Sequence, residues 1–226
     1  MLGKSLTDSW SFFKNHTIAL SFIILPIVAP ITICNAFYQY FFIGEEFIFS
    51  EQYIPMAIDF IAYPIYMIAV IFYISSRISG DKHDTTSLWK LGIKYWQPYI
   101  ILSIFVSLLV LCGFALLIVP GIILLVRYAF SEFELLLNDK KPLDAMKNSW
   151  DATKQYQWVI LGGYTLITLA LYTPYFMISS LVEEFSISYW VLTTVFDLII
   201  SVFSVLYTIF SFRVYEFSRT NNIPET

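Results

Sequence analysis

Four ionisable side chains occupy places where ionisable side chains are costly. Asp59, Arg127, Asp197 and Glu132 each lie within a long apolar run. An isolated charge in hydrocarbon costs about 2.5–3.5 kcal/mol even on the lenient insertion scale, so each of the four needs a partner or a task. One cation among carboxylates can form a structural ion pair. The same groups can form a proton- or ion-responsive site, which intramembrane carboxylates often mark. Other chemistry finds no footing. The sequence has no HExxH, no GxSxG and no Walker loop, and its histidines, His16 and His83, lie far apart. Cys34 and Cys112 lie in apolar runs with no CxxC or Cys/His spacing, so both read as small buried apolar side chains. No catalytic residue, metal or cofactor is expected.

The elements that must position these groups follow from composition. The chain has 226 residues, of which 58% are hydrophobic and 19% aromatic, and only 13% are charged. A soluble domain carries about 25% charged residues. A chain this poor in charge has lipid as its main solvent. The net charge of −4 argues against nucleic-acid binding. Polar residues 4–15 precede an apolar stretch far longer than the ~7–15 residues of a signal peptide, and no A-x-A-like site follows. The first span is therefore expected to remain in the mature protein.

About 20 apolar residues cross a bilayer core. On that measure the chain is an all-α polytopic bundle, a single integral membrane domain over 1–226. Six spans are expected, at 17–43, 55–76, 98–119, 122–137, 158–181 and 189–212. Pro26 and Pro30 should kink the first span rather than end it. The third and fourth come from one run of about forty residues, twice a bilayer core, which must fold back; Pro120-Gly121 is the expected turn. Lysines and arginines test the scheme independently. Twelve of the thirteen fall before span one, between spans two and three, between four and five, or after six, and the other connections hold none. The positive-inside rule then places both termini in the cytoplasm. Only Arg127 lies inside a span.

Each odd-numbered span is preceded by a segment of similar design. Trp10 and Lys14, Trp89 and Lys94, and Trp150 and Lys154 mark the three copies, each with apolar residues at helical spacing. Trp beside Lys at a span end suits the headgroup zone. Three in-plane amphipathic helices are expected, either as parts of three repeated helical hairpins or as three independent anchors. Counted from the outer ends of spans two, four and six, Asp59 lies about 6 Å deep, Arg127 about 8 Å and Asp197 about 12 Å. That depth predicts that Arg127 neutralises Asp197 or Asp59. Glu132 and Glu134 extend a polar line toward the cytoplasm.

Two stretches resemble a known family. One runs Leu117-Ile118-Val119-Pro120-Gly121-Ile122-Ile123, then Arg127, then Lys141-Pro142-Leu143-Asp144-Ala145-Met146-Lys147-Asn148-Ser149-Trp150. The other is Ser5-Leu6 through Trp10-Ser11-Phe12-Phe13-Lys14-Asn15. Both resemble the YciC-type family of uncharacterised six-span bacterial inner-membrane proteins. The first is also similar to the membrane domain of some glycerophosphoryl diester phosphodiesterases. The resemblance implies a plasma-membrane protein with no assignable catalytic residue, and this chain lacks the soluble phosphodiesterase domain. Its first outer loop, with Glu45, Glu46 and Glu51, is more acidic than the family pattern.

Two functions remain open. One is a non-enzymatic component that supports membrane organisation or partner assembly, in contact with anionic headgroups on the cytoplasmic side. The other is a small transporter or channel, built as a homo-oligomer or with other membrane proteins. A wet cavity reaching Asp59, Arg127 and Asp197 would favour transport, and a packed core the first reading.

Overall fold

The computed structural model describes residues 1–42, 53–80, 84–179 and 187–221. The acidic connections expected on the outer side, with Glu45, Glu46, Glu51, Glu183 and Glu184, lie outside the described residues. Within them the chain is all helix: α1 Leu2–Phe42, α2 Tyr53–Ser79, α3 Thr85–Lys94, α4 Trp96–Leu116, α5 Ile118–Arg127, α6 Ser131–Leu137, α7 Pro142–Ala152, α8 Gln157–Ser179, α9 Ile187–Phe203 and α10 Val205–Asn221. Five stretches are long and apolar enough to cross a membrane: α1, α2, α4, α8 and the run α9–α10. The chain is a multi-span helical membrane protein.

The expected fourth crossing, 122–137, is not one helix. It breaks at Tyr128–Phe130 into α5, of 10 residues, and α6, of 7. The turn before it also moves. Leu117, extended at φ −163° and ψ 157°, separates α4 from α5, and Pro120 with Gly121 lies inside the first turn of α5. Proline belongs there, because first-turn amides have no intrahelical acceptor to lose. The glycine serves close packing instead. A Cβ on Gly113 would lie 2.9 Å from the Gly121 Cα, and the Phe114 ring covers Gly121. The backbones of α4 and α5 approach closely because neither carries a side chain at the crossing.

The first surface helix does not exist as a separate element. Residues 2–42 form one continuous helix through Pro26 and Pro30. Its 41 residues span about 61 Å, against about 40–45 Å for a bilayer with its headgroups. The surplus belongs to the charged first turns, with Lys4, Asp8 and Lys14. The last expected span likewise runs on past 212 to Asn221, broken only at Ser204.

Packing is uneven along the molecule. The fully buried large side chains are Leu20, Ile23 and Ile24 of α1, Ile68, Ile71 and Ile74 of α2, Leu88, Tyr99, Phe130, Phe133, Phe210 and Tyr215. These come from the first half of α1, the second half of α2, α3, the start of α4, α6 and α10. They form one base, joined to the basic residues: Arg77 lies 5.0 Å over Tyr73, and Arg213 lies 5.7 Å over Phe12. Beyond the base lies a crown made of the other ends of the long helices. There Phe37, Phe41, Leu111, Leu116, Ile118, Phe176 and Val191 are exposed, as apolar side chains facing lipid should be. Cys34 and Cys112 belong to this exposed surface, not to the interior that their apolar neighbours suggested.

The helix α3 is also held by protein more than by a membrane surface. A Cβ on Gly92 would collide with the backbone carbonyl of Ile65, so α3 packs directly on α2 at that point. The Trp96 indole NH donates to the Ile61 carbonyl at 2.9 Å just beyond it. Gly92→Ala should therefore cost about 1–3 kcal/mol through overpacking, although alanine favours a helix. Gly3→Ala, at a site with nothing within 4 Å, should be neutral or stabilising. Thermal unfolding in detergent checks both; equal behaviour of the two variants would contradict the α2–α3 contact.

Candidate functional site

The break between α5 and α6 leaves backbone groups without helical partners, and α7 supplies them. The Ser149 hydroxyl donates to the Arg127 carbonyl at 2.7 Å and accepts from the Phe130 amide at 3.1 Å. The Thr153 hydroxyl reaches the same Arg127 carbonyl at 3.2 Å. Both side chains are fully buried. A buried orphan amide or carbonyl costs as much as a lost hydrogen bond, so these two hydroxyls are what make the break tolerable.

Arg127 completes the joint. Its guanidinium lies 5.0 Å over the Trp150 ring and donates to the Trp150 carbonyl at 3.2 Å. It does not neutralise Asp59 or Asp197. The depth estimate failed because it treated 122–137 as one helix entering from the outer face. The short α5 instead delivers Arg127 to α7, beside exposed Lys147 and Lys154. Ser149-Trp150, noticed for its likeness to the Ser9-Trp10 pair, thus has a role of its own. Ser9 bonds only to the Ser5 carbonyl within α1, at 2.6 Å. Trp10 stacks on Phe13 at 5.9 Å, and Lys14 is exposed. The Trp89 indole NH is buried without a partner, while Lys94 lies 5.0 Å over Tyr95. The three copies do not make equivalent contacts. Of the α7 stripe, Met146 and Thr153 turn into the protein, whereas Leu143 and Trp150 stay exposed with Lys154.

The two aspartates do come together. Asp59 and Asp197 are exposed in the crown, within electrostatic reach of each other. The Asn35 amide donates to the Asp59 carboxylate at 3.5 Å. The groove that holds Asp59 is lined by Val28, Ile31, Met56, Phe60, Tyr63 and Tyr66, and it reaches neither Arg127 nor Asp197.

Glu132 and Glu134, two residues apart on α6, have different surroundings. Glu134 is buried and satisfied: it accepts from Tyr215 at 2.9 Å and from the Asn148 amide at 3.2 Å, and Tyr215 in turn accepts from Asn138 at 2.7 Å. Sequence reading placed Glu134 on a polar line but had no means of finding its tyrosine partner 81 positions away. Glu132 lies within electrostatic reach of Tyr63, Tyr99 and Tyr164, which come from α2, α4 and α8. The only salt bridge among the described residues is Arg213–Glu216, at 3.5 Å on one helix face. The four-residue charge cluster therefore divides into three places: Arg127 on α7, the aspartate pair in the crown, and Glu132 among tyrosines.

The chain matches no protein-family profile, no curated protein and no solved structure.

Replacing Ser149 by Ala leaves the Phe130 amide and part of the Arg127 carbonyl unpaired, at an expected cost of about 1–3 kcal/mol. Arg127→Leu and Trp150→Leu should each destabilise the protein, and their double-mutant cycle should show coupling of about 0.5–2 kcal/mol. Asp197→Leu should be independent of both. Chemical or thermal unfolding in a fixed detergent measures these terms, and coupling of Arg127 to Asp197 instead would restore the ion pair expected from depth.

Proposed function

We propose that the chain is a non-enzymatic, multi-pass component of a bacterial plasma membrane, with both termini in the cytoplasm, that organises lipid or assembles partner proteins at the inner leaflet. The observation that carries this reading is the filled base. Where a conduction path would have to leave the crown, Phe130, Phe133, Phe210, Tyr99 and Tyr215 are packed without exposed surface. The rings of Phe133 and Tyr215 stand 5.3 Å apart, and those of Phe133 and Phe212 also 5.3 Å. The charged groups that would line a shared path lie in separate places.

The base also supplies a surface for anionic headgroups. Lys140, Lys141, Lys147 and Lys154 are exposed on or beside α7, with Leu143 and Trp150 on its open side. Each basic residue near an anionic surface contributes about 1 kcal/mol. The motif likeness to the YciC-type family points the same way. Transport keeps one specific observation in its favour, the neighbouring Asp59 and Asp197 in the crown.

Three measurements test the proposal. Reporter enzymes fused after residues 80 and 140 should read cytoplasmic, and those after 48 and 185 external. Purification in native nanodiscs should enrich anionic lipids, and replacing Lys140, Lys141, Lys147 and Lys154 by Gln should remove most of that enrichment. Proteoliposomes loaded with dyes for protons, sodium or potassium should show no flux above empty vesicles. A flux abolished by Asp59→Asn would replace this reading with transport.

A further inference from the structure

In the first half of α2, Met56, Asp59, Phe60, Tyr63 and Tyr66 recur at spacings of three and four, which puts them on one helical face. Val28 and Ile31, one turn apart on α1, stand opposite. Between the two helices lies an open groove of about 350 Å³, at the lower end of the range for small-molecule sites. The Tyr63 and Tyr66 rings meet edge to face in its wall, 5.5 Å apart at 78°. Met56, Phe60 and Tyr63 keep exposed surface. Among the described residues that line the groove, Asp59 is the only charged one.

No side chain of the two helices neutralises it. Lys14 on α1 precedes Val28 by fourteen residues, and Arg77 on α2 follows Asp59 by eighteen, about 21 Å and 27 Å of helix. Lys94, from the segment that packs on Ile61 and Ile65, lies over the Tyr95 ring instead. Asp197, within electrostatic reach, adds a second negative charge. The Asn35 amide reaches one oxygen of Asp59, at 3.5 Å, which is long for a hydrogen bond. A carboxylate has about four acceptor positions, so most of its capacity is open. Pro64 has no amide to offer the Phe60 carbonyl one turn back, which adds a backbone acceptor to the same stretch.

One class of ligand matches a carboxylate set among aromatic rings and aliphatic side chains. A metal ion takes several oxygen ligands, and this lining offers a single carboxylate. An acyl chain would cover the apolar wall and leave the carboxylate unmatched. A cation with apolar substituents meets both: its charge pairs with the carboxylate and lies over the electron-rich ring faces. We propose that the α1–α2 groove binds an amphiphilic organic cation, an onium ion carrying apolar groups, with Asp59 as counter-charge and Phe60 and Tyr63 as the cation-π surface. Val28, Ile31 and Met56 cover the apolar substituents. Asn35 makes the carboxylate tolerable while the groove is empty. The site goes beyond the lipid-organising role, and the lysines of α7 take no part in it.

Equilibrium binding of radiolabelled tetraphenylphosphonium to the full-length protein in phosphatidylcholine nanodiscs tests the proposal, with empty nanodiscs as background. Binding should saturate at one cation per chain, and tetraphenylborate, an anion of the same shape, should show no saturable binding. Asp59→Asn, which keeps the side chain's shape, should weaken binding by about tenfold or more. Phe60→Leu and Tyr63→Leu should each weaken it by about fivefold. Replacing Lys140, Lys141, Lys147 and Lys154 by Gln should leave it unchanged, which separates this site from the lipid role. No saturable binding, equal binding of the two ions, wild-type affinity in Asp59→Asn, or loss of binding in the lysine variant would overturn the proposal. If Asp59→Asn gives no folded protein, the ring variants decide, and wild-type affinity in both would sink it.

Discussion

The carbonyl of Arg127 is the point on which the base depends. A helix that stops inside a membrane protein leaves its last carbonyls and the next amides facing surroundings that offer no water. In this chain α5 stops after ten residues, and two hydroxyls from a helix more than twenty positions onward take up the freed groups. Everything C-terminal to the break is placed by that contact. It sets α7 against α6, aims Arg127 at Trp150, and turns α6 so that Glu134 meets Tyr215 while Glu132 meets Tyr99. An unbroken α5–α6 helix would carry Arg127 past α7 and swing the two glutamates away from their tyrosines.

The polarised packing has a related cause. In water, burying apolar surface drives every part of a chain inward. In lipid that drive is absent between helices, so only polar bonds and close packing hold them together. The base has both: the hydroxyl joint, the Glu134–Tyr215–Asn138 network, His16 bonded to Tyr73 at 3.0 Å, and the glycine contact of α3 with α2. The crown has few such devices. Its clearest is the Gly113–Gly121 approach that zips α4 to α5.

How far the sequence could be read follows from which signals are local. Hydropathy reports span length, and it located three of the five apolar crossings, α2, α4 and α8, to within a few residues at both ends; α1 begins fifteen residues earlier than expected and α10 runs nine residues further. It cannot report a break such as Tyr128–Phe130, because those residues are as apolar as their neighbours and the partners that permit the break are distant. The Pro120-Gly121 pair shows the opposite error: a strong local turn signal was overridden because proline is equally at home one turn inside a helix. Lys14 and Trp10 carry an interface signature, yet they continue into α1, since nothing between residues 10 and 17 ends a helix. Among the candidate site residues, depth placed Asp59 and Asp197 in the same half of the bundle but said nothing of what each would meet. The Arg127 assignment failed with the helix it was measured along, and the tyrosines around Glu132 come from three helices that no single-chain pattern connects.

Moving Arg127 to α7 also changes the charge arithmetic. The connections 43–52 and 180–186, together with Asp59 and Asp197, hold seven carboxylates and no Lys or Arg. The thirteen basic residues and the other ten acids all lie elsewhere along the sequence. The separation costs little, because each crown aspartate sits close to a helix start. Asp59 is six residues into α2 and Asp197 ten into α9, about 9 Å and 15 Å from those ends. The Asn35 amide gives Asp59 a donor, so that carboxylate is met without a cation. A cation placed at Asp197 would weaken that separation of charge along the chain.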